Sequence, residues 1–159
     1  MKKLIITIAV LIAVLINSQI KGQNWTTQEK EIIKRVETGW TSWQEAVNQK
    51  DHSIWLKAAN PTDDWICWWA QDQVPWDLSD PKRNFEFFSK EIQKYYFQKV
   101  FPLSVKVNEN VAFIWFYASY AIENKDGNSV NTQEKRFEVY QKIDGEWRWS
   151  AGMAVAKNL

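Results

Sequence analysis

Over residues 111–120 the chain is apolar on both faces of any strand it can form. Val111, Phe113, Trp115 and Tyr117 fall on one parity, and Ala112, Ile114, Phe116 and Ala118 on the other. A sheet with one solvated face alternates apolar with polar residues, so this strand needs cover on both sides. Helices of the same chain can supply one cover. The simplest source of the other is a second copy of the chain, and a homodimer packed through the sheet is expected.

Turn signals bracket that strand. Asn108-Glu109-Asn110 precedes it, Asn124-Lys125-Asp126-Gly127-Asn128 follows it, and Asp144-Gly145 separates residues 131–143 from 146–156. Such clusters suit hairpins, and with residues 103–107 they predict an antiparallel meander over the second half of the chain. The first half reads as helix. Thr26 and Glu29 have capping-box spacing, and Ile32, Val36, Trp40, Trp43 and Val47 recur at helical intervals. Asp51 can cap a short second helix from His52 to about Ala59, which Asn60-Pro61 ends. Residues 65–70 form a short aromatic strand, and a loop through Pro75 and Trp76 leads to a third helix. That helix opens at Asp80-Pro81, includes Phe85, Phe88 and Ile92, and runs to about Phe97, with Pro102 marking the change to strands. No repeat or linker divides the chain, so one α+β domain is expected.

Lys2 and Lys3 precede an apolar stretch, 4–16, and a polar zone, 17–22, follows it. This is the order of a secretory signal peptide, and the stretch is shorter than the roughly 20 apolar residues of a spanning helix. Residues 1–22 are therefore expected to be removed before Gln23. Residues 23–159 then form the exported domain, secreted or periplasmic, with no stable membrane anchor. The chain carries 20 Lys and Arg against 19 Asp and Glu. Three of the basic residues, Lys2, Lys3 and Lys21, lie in the leader, so the domain itself is slightly acidic and offers no footprint for nucleic acid.

Cys67 is the single cysteine and His52 the single histidine. No intrachain disulfide can form, a four-ligand zinc site would need two carboxylates as well, and neither metal nor cofactor is expected. Between Ile66 and Trp68, Cys67 reads as a small buried hydrophobe rather than a nucleophile. His52, beside a helix cap, reads as exposed.

Several pieces, taken in order, carry a family likeness. They are the first helix with Trp40 and Trp43, the corner Asn48-Gln49-Lys50-Asp51, the segment from Trp65 to Trp69 with Pro75, Asn110-Val111-Ala112-Phe113, Arg136-Phe137, Lys142-Ile143-Asp144-Gly145-Glu146-Trp147-Arg148 and Gly152-Met153. Together they resemble the nuclear transport factor 2-like superfamily in its SnoaL-like branch, over nearly all of residues 23–159. The resemblance implies a cone-shaped α+β fold. In it, N-terminal helices pack on a curved antiparallel sheet with a pocket between them, often in a dimer formed through the sheet.

Eleven tryptophans, five tyrosines and eight phenylalanines are first of all core-filling side chains. Trp40, Trp43, Trp68, Trp69, Trp76 and Trp115 are also candidates for a pocket wall, because small-molecule sites are mostly apolar with few polar groups. A planar hydrophobic compound, or a sugar stacked on an indole, suits them. The expected function is binding of a small apolar or aromatic ligand in the cone.

The resemblance also implies chemistry. Ketosteroid isomerase relatives use an aspartate after the first strand as a base, and the similar position is Asp72, with Asp64 second to it. An isomerase, dehydratase or cyclase is therefore the alternative function. Dehydratases that rely on two histidines are not matched, since His52 stands alone. A cyclase carboxylate on a late strand would be Glu138. However, Arg136, Glu138, Tyr140 and Lys142 share one parity and read as a solvated or interface face, which gives a third alternative, a protein-binding module. An Arg136 and Glu138 pair lining the cone is the other reading of that face. The epoxide-hydrolase arrangement, two aspartates bridged by an arginine, cannot be assigned to particular residues.

Overall fold

The computed structural model describes residues 24–70 and 75–158. Thr26 caps the first helix as its spacing predicts: the Glu29 N–H donates to Thr26 Oγ1 (3.2 Å) and the Thr26 N–H to Glu29 Oε2 (2.8 Å). This helix, α1 (Thr27–Gln49), buries Ile32, Val36, Trp40, Ala46 and Val47 and ends at Lys50 in the left-handed conformation, φ 61°. The Asp51 side chain accepts the Ser53 N–H and opens α2 (His52–Ala59). Asn60, also left-handed, stops α2 before Pro61. These two caps set the corner between the helices.

The order continues β1 (Pro61–Trp69), α3 (Ser79–Glu91), β2 (Ile92–Asn108), β3 (Val111–Asn124), β4 (Ser129–Ile143) and β5 (Glu146–Asn158). The strands form one sheet in the order β1-β5-β4-β3-β2. β2 to β5 are the expected antiparallel meander, while β1 pairs parallel to β5 and begins at Pro61, earlier than its aromatic run suggests. Asp144 and Gly145 both have positive φ (52° and 84°), the backbone that lets a two-residue turn follow strand twist.

Two boundaries depart from the sequence reading. The Ser79 N–H and hydroxyl both donate to Asp77 Oδ1 (2.7 and 2.6 Å), so α3 starts under Asp77 rather than at Asp80. It stops at Glu91, and residues 92–97, expected as its last turns, begin β2 instead. Side chains of α1 account for the switch. The Asn48 amide donates to Tyr95 O (3.0 Å) and accepts from the Tyr95 N–H (2.8 Å), Gln44 Oε1 accepts from the Phe97 N–H (2.6 Å), and Lys50 Nζ donates to Ile92 O (2.8 Å). Helix side chains thus stand in for a neighbouring strand. Pro102 lies inside β2 rather than before it. An edge strand tolerates the missing N–H, and the register with β3 shifts between Pro102 and Ser104.

The doubly apolar strand is divided as its parity requires. β3 buries Ala112, Ile114, Phe116 and Ala118 on the concave side and leaves Trp115 42% exposed on the other. That outer face continues through Ile66 and Trp68 of β1, Phe101 of β2, and Met153 and Val155 of β5, all exposed.

Candidate functional site

Every second side chain of β4 points to the concave side of the sheet. The ladder pairs Ala118 with Glu134, Phe116 with Arg136 and Ile114 with Glu138, so three charged residues share the buried face of β3. All three are buried, as is Tyr140. Arg136 Nη1 donates to Glu134 Oε2 (3.1 Å), and Nη2 faces Cys67 Sγ at 4.0 Å. Arg136 Nε lies 3.1 Å from Glu138 Oε1, an ion pair whose N–H is off the hydrogen-bond axis. The Tyr120 hydroxyl donates to Glu134 Oε1 (2.6 Å) and the Tyr140 hydroxyl to Glu138 Oε2 (2.8 Å). A polar chain therefore runs Tyr120, Glu134, Arg136, Glu138, Tyr140 across the concave face. The guanidinium carbon lies 5.2, 5.4 and 5.5 Å from the ring centres of Trp40, Trp69 and Trp149, within cation–π range.

Burial sets the protonation pattern of this chain. It raises the Glu138 carboxyl above the ordinary glutamate range, against the opposing pull of Arg136 and of the Tyr140 hydrogen bond. Burial alone would lower Arg136, but Glu138 and Glu134 outweigh it and hold the guanidinium charged. Tyr95, Tyr120 and Tyr140 are raised, chiefly by burial, and stay neutral. The Cys67 thiol is pushed up to about 11 by burial, which Arg136 offsets only in part. It is therefore not a thiolate nucleophile at neutral pH. Among the described residues no group of three or more His, Cys, Asp and Glu is arranged to hold a metal.

Beside the chain lies a cavity of about 300 Å³, at the small end of the range for ligand sites, roughly 300–1,000 Å³. Of the six tryptophans expected on a pocket wall, Trp40, Trp43, Trp69 and Trp76 line it. Trp76 is brought in by a bridge to β1, where it and Cys67 exchange N–H···O bonds of 3.0 and 2.7 Å. The Trp69 and Trp76 rings then lie 5.4 Å apart. Trp68 and Trp115 are not brought to the cavity. Strand alternation turns Trp68 away from its neighbours Cys67 and Trp69, and Trp115 away from Phe116, so both sit on the outer face. Asp72 lies outside the described residues, and Asp64 is exposed on β1.

Two sequence readings are corrected here. Arg136, Glu138 and Tyr140 are not a solvated or interface face: they are buried and line the cavity. His52 is half-buried rather than exposed, its ring 5.3 Å from that of Trp55 and 5.1 Å from that of Phe85. Burial, with Lys82 adding to it, lowers its pKa. No aspartate pair bridged by an arginine is seen among the described residues of the site; Arg136 lies between two glutamates, Glu134 and Glu138. Glu134, Tyr120, Tyr140, Trp55, Trp65 and Trp149 also line the cavity and were missed. For Glu134 a signal was present: a hairpin closed between Asn124 and Asn128 puts Arg136 opposite Phe116 and so fixes the parity of the whole strand.

Helices laid against one curved, mostly antiparallel sheet, with a cavity between the layers, define an α+β cone. This cone is the nuclear transport factor 2-like fold, and solved structures share it. A conserved protein from Planctomyces limnophilus DSM 3776 superposes with a TM-score of 0.65 at 14% identity, covering 82% of this chain and 98% of that one. A nuclear transport factor 2-like superfamily protein from Salmonella enterica serovar Typhimurium gives 0.59 at 16% identity, covering 79% and 88%. A candidate dehydratase of the same family from Streptomyces avermitilis gives 0.57 at 13% identity, covering 80% and 97%. No protein-family model matches the sequence, and no curated protein matches it.

Proposed function

We propose that the chain is an exported domain that binds a small apolar or aromatic ligand in its cone. One observation carries this reading, the cavity of about 300 Å³ walled by indole rings. A cone filled by its own side chains would be a core, whereas an indole-walled space with a few polar groups at one side has the form of a ligand site. Thermal shift against steroids, polycyclic aromatics, short fatty acids and oligosaccharides tests it. A ligand at 100 times its Kd stabilises the fold by about 2.7 kcal/mol. Stabilisation by an apolar or aromatic class supports the reading, and a flat response across the panel overturns it.

The same domain is proposed to work as a homodimer through the outer sheet face. Exposed Ile66, Trp68, Phe101, Trp115, Met153 and Val155 spread over four strands, and a contiguous patch of this kind marks an interaction site. Sedimentation at micromolar concentration checks this, and a monomer refutes it.

A second reading, an isomerase, dehydratase or cyclase-type enzyme, is supported by Glu138. A buried carboxyl with a raised pKa beside a cavity has the property of an acid–base group, and one neighbour in fold is a candidate dehydratase. Glu138 therefore joins Asp72 as a base to test. Loss of turnover in Glu138→Gln or Asp72→Asn with ligand binding retained identifies the base, and unchanged turnover removes that residue from the mechanism. The protein-binding alternative loses the charged series meant to carry it, because Arg136, Glu138 and Tyr140 are buried, and is left with the exposed outer sheet face.

A further inference from the structure

The polar side of the cavity holds open donors and open acceptors side by side. An ionised carboxylate has about four lone-pair sites, and a guanidinium has five N–H donors. Glu134 accepts one hydrogen bond on each oxygen, from the Tyr120 hydroxyl on Oε1 and from Arg136 Nη1 on Oε2. Glu138 meets the Tyr140 hydroxyl with Oε2 and Arg136 Nε with Oε1. About half of the acceptor capacity of the two carboxylates is therefore open. Much of the donor capacity is open as well. One N–H of Arg136 reaches Glu134 and one faces Cys67 Sγ at 4.0 Å, while Nε is buried without a hydrogen-bond partner. Trp65, 3% exposed and on the same wall, likewise buries its indole Nε1 unpartnered. The other guanidinium of the lining is taken up: Arg35 donates Nε to Trp147 O (3.1 Å) and Nη2 to Ala59 O (3.2 Å).

A ligand with a single kind of polar function leaves part of this row unmet. One with acceptors alone turns them towards the open lone pairs of Glu134 and Glu138. One with donors alone leaves the N–H groups of Arg136 and Trp65 unanswered, and a buried polar group without a partner subtracts from affinity. A donor beside an acceptor answers both. Glu134 Oε2 and Arg136 Nη1 stand 3.1 Å apart, as do Glu138 Oε1 and Arg136 Nε, so the two functions belong on neighbouring atoms of the ligand. A hydroxyl has to serve both through one oxygen. A ring amide presents its N–H and its carbonyl as separate atoms fixed in the plane of the ring, with no rotor to immobilise. The formal charges of the lining, two carboxylates against two guanidiniums, balance and suit a neutral molecule, and the indole walls suit a flat one.

We infer that the ligand of this cone is a neutral, flat heterocycle with a cyclic amide edge, its N–H donated to Glu134 or Glu138 and its carbonyl accepting from Arg136. This rests on the binding reading above and names the chemistry of the polar end.

Calorimetric titration of the wild-type protein with bicyclic compounds of similar size tests it. Quinolin-2(1H)-one carries both functions, quinoline an acceptor alone, indole a donor alone, naphthalene neither, and naphthalen-2-ol a hydroxyl. Quinolin-2(1H)-one should bind with a Kd lower by about tenfold or more than each of the others, the effect of one hydrogen bond to a charged group. Quinoline or indole binding as tightly shows that one of the two functions is idle and overturns the inference. Naphthalen-2-ol binding as tightly overturns it too, in favour of a single-atom contact. Each of these results leaves the binding reading standing. If none of the compounds binds, the aromatic-ligand reading fails and the inference fails with it.

Discussion

Arg136→Met removes the guanidinium between two buried carboxylates while keeping an apolar side chain in its place. Lost with it are the contacts of 3.1 Å to Glu134 and 3.1 Å to Glu138 and the stacking against Trp40, Trp69 and Trp149. Deleting one partner of a buried ion pair costs about 3–5 kcal/mol, because the remaining charge is left uncompensated. For a domain of this size that lowers Tm by about 10–20 °C. The pH dependence gives the sharper signature. Burial already raises Glu138, and Arg136 is the foremost influence opposing it; without Arg136 the carboxyl rises further. The folded variant then holds a proton that the unfolded chain releases, so its stability falls as pH rises and recovers as pH drops from 8 towards 5. Urea melts at pH 8, 6.5 and 5, followed by tryptophan fluorescence, read this directly. A loss below about 1 kcal/mol, or a variant whose midpoint falls on acidification in step with the wild type, would refute the reasoning. Adding Glu134→Gln and Glu138→Gln to Arg136→Met should restore most of the lost stability.

Gly152→Ala places a Cβ 3.2 Å from Trp149 Cζ2, 3.3 Å from Phe137 O and 3.4 Å from Cys67 Sγ. The backbone oxygen cannot move aside, so a loss of about 1–3 kcal/mol is expected in a urea melt. Cys67, buried and with its thiol near 11, should react with iodoacetamide at pH 8 far more slowly in the native protein than in urea, as followed by mass spectrometry. Trp115→Glu puts a charge on the outer face of β3, where the side chain is 42% exposed. It should leave the thermal midpoint of dilute protein nearly unchanged while shifting sedimentation from dimer to monomer.

Much of the fold was legible because it is written in local signals. The capping box at Thr26, the left-handed stop at Asn60 before Pro61, and Asp144-Gly145 each act within a few residues, and each appears where the sequence places it. The end of α3 was not legible, since residues 92–97 become strand through Asn48 and Gln44, about fifty positions away in the chain. The site divides along the same line. Parity alone separates Trp68 from Trp69 but does not say which face is concave, so Trp68 and Trp115 were grouped with the wall tryptophans. The charged series in β4 resembled a solvated face because, although Glu134, Arg136, Glu138 and Tyr140 pair with one another along the strand, the cover that buries them comes from elsewhere, from Tyr120 on another strand and from indoles on α1, β1 and β5.

The edge of β2 has a consequence for how the molecule comes apart. The amides of Tyr95 and Phe97 are held by side chains of α1 rather than by a strand, so their protection from solvent deuterium lasts only while the helix is docked. Exchange at these two positions therefore times the lifting of α1 from the sheet, separately from melting of the ladder itself. Until the helix lifts, the Tyr95 N–H and carbonyl and the Phe97 N–H are not open to a foreign strand. The helix thus acts as a guard against polymerisation as well as a wall of the cone.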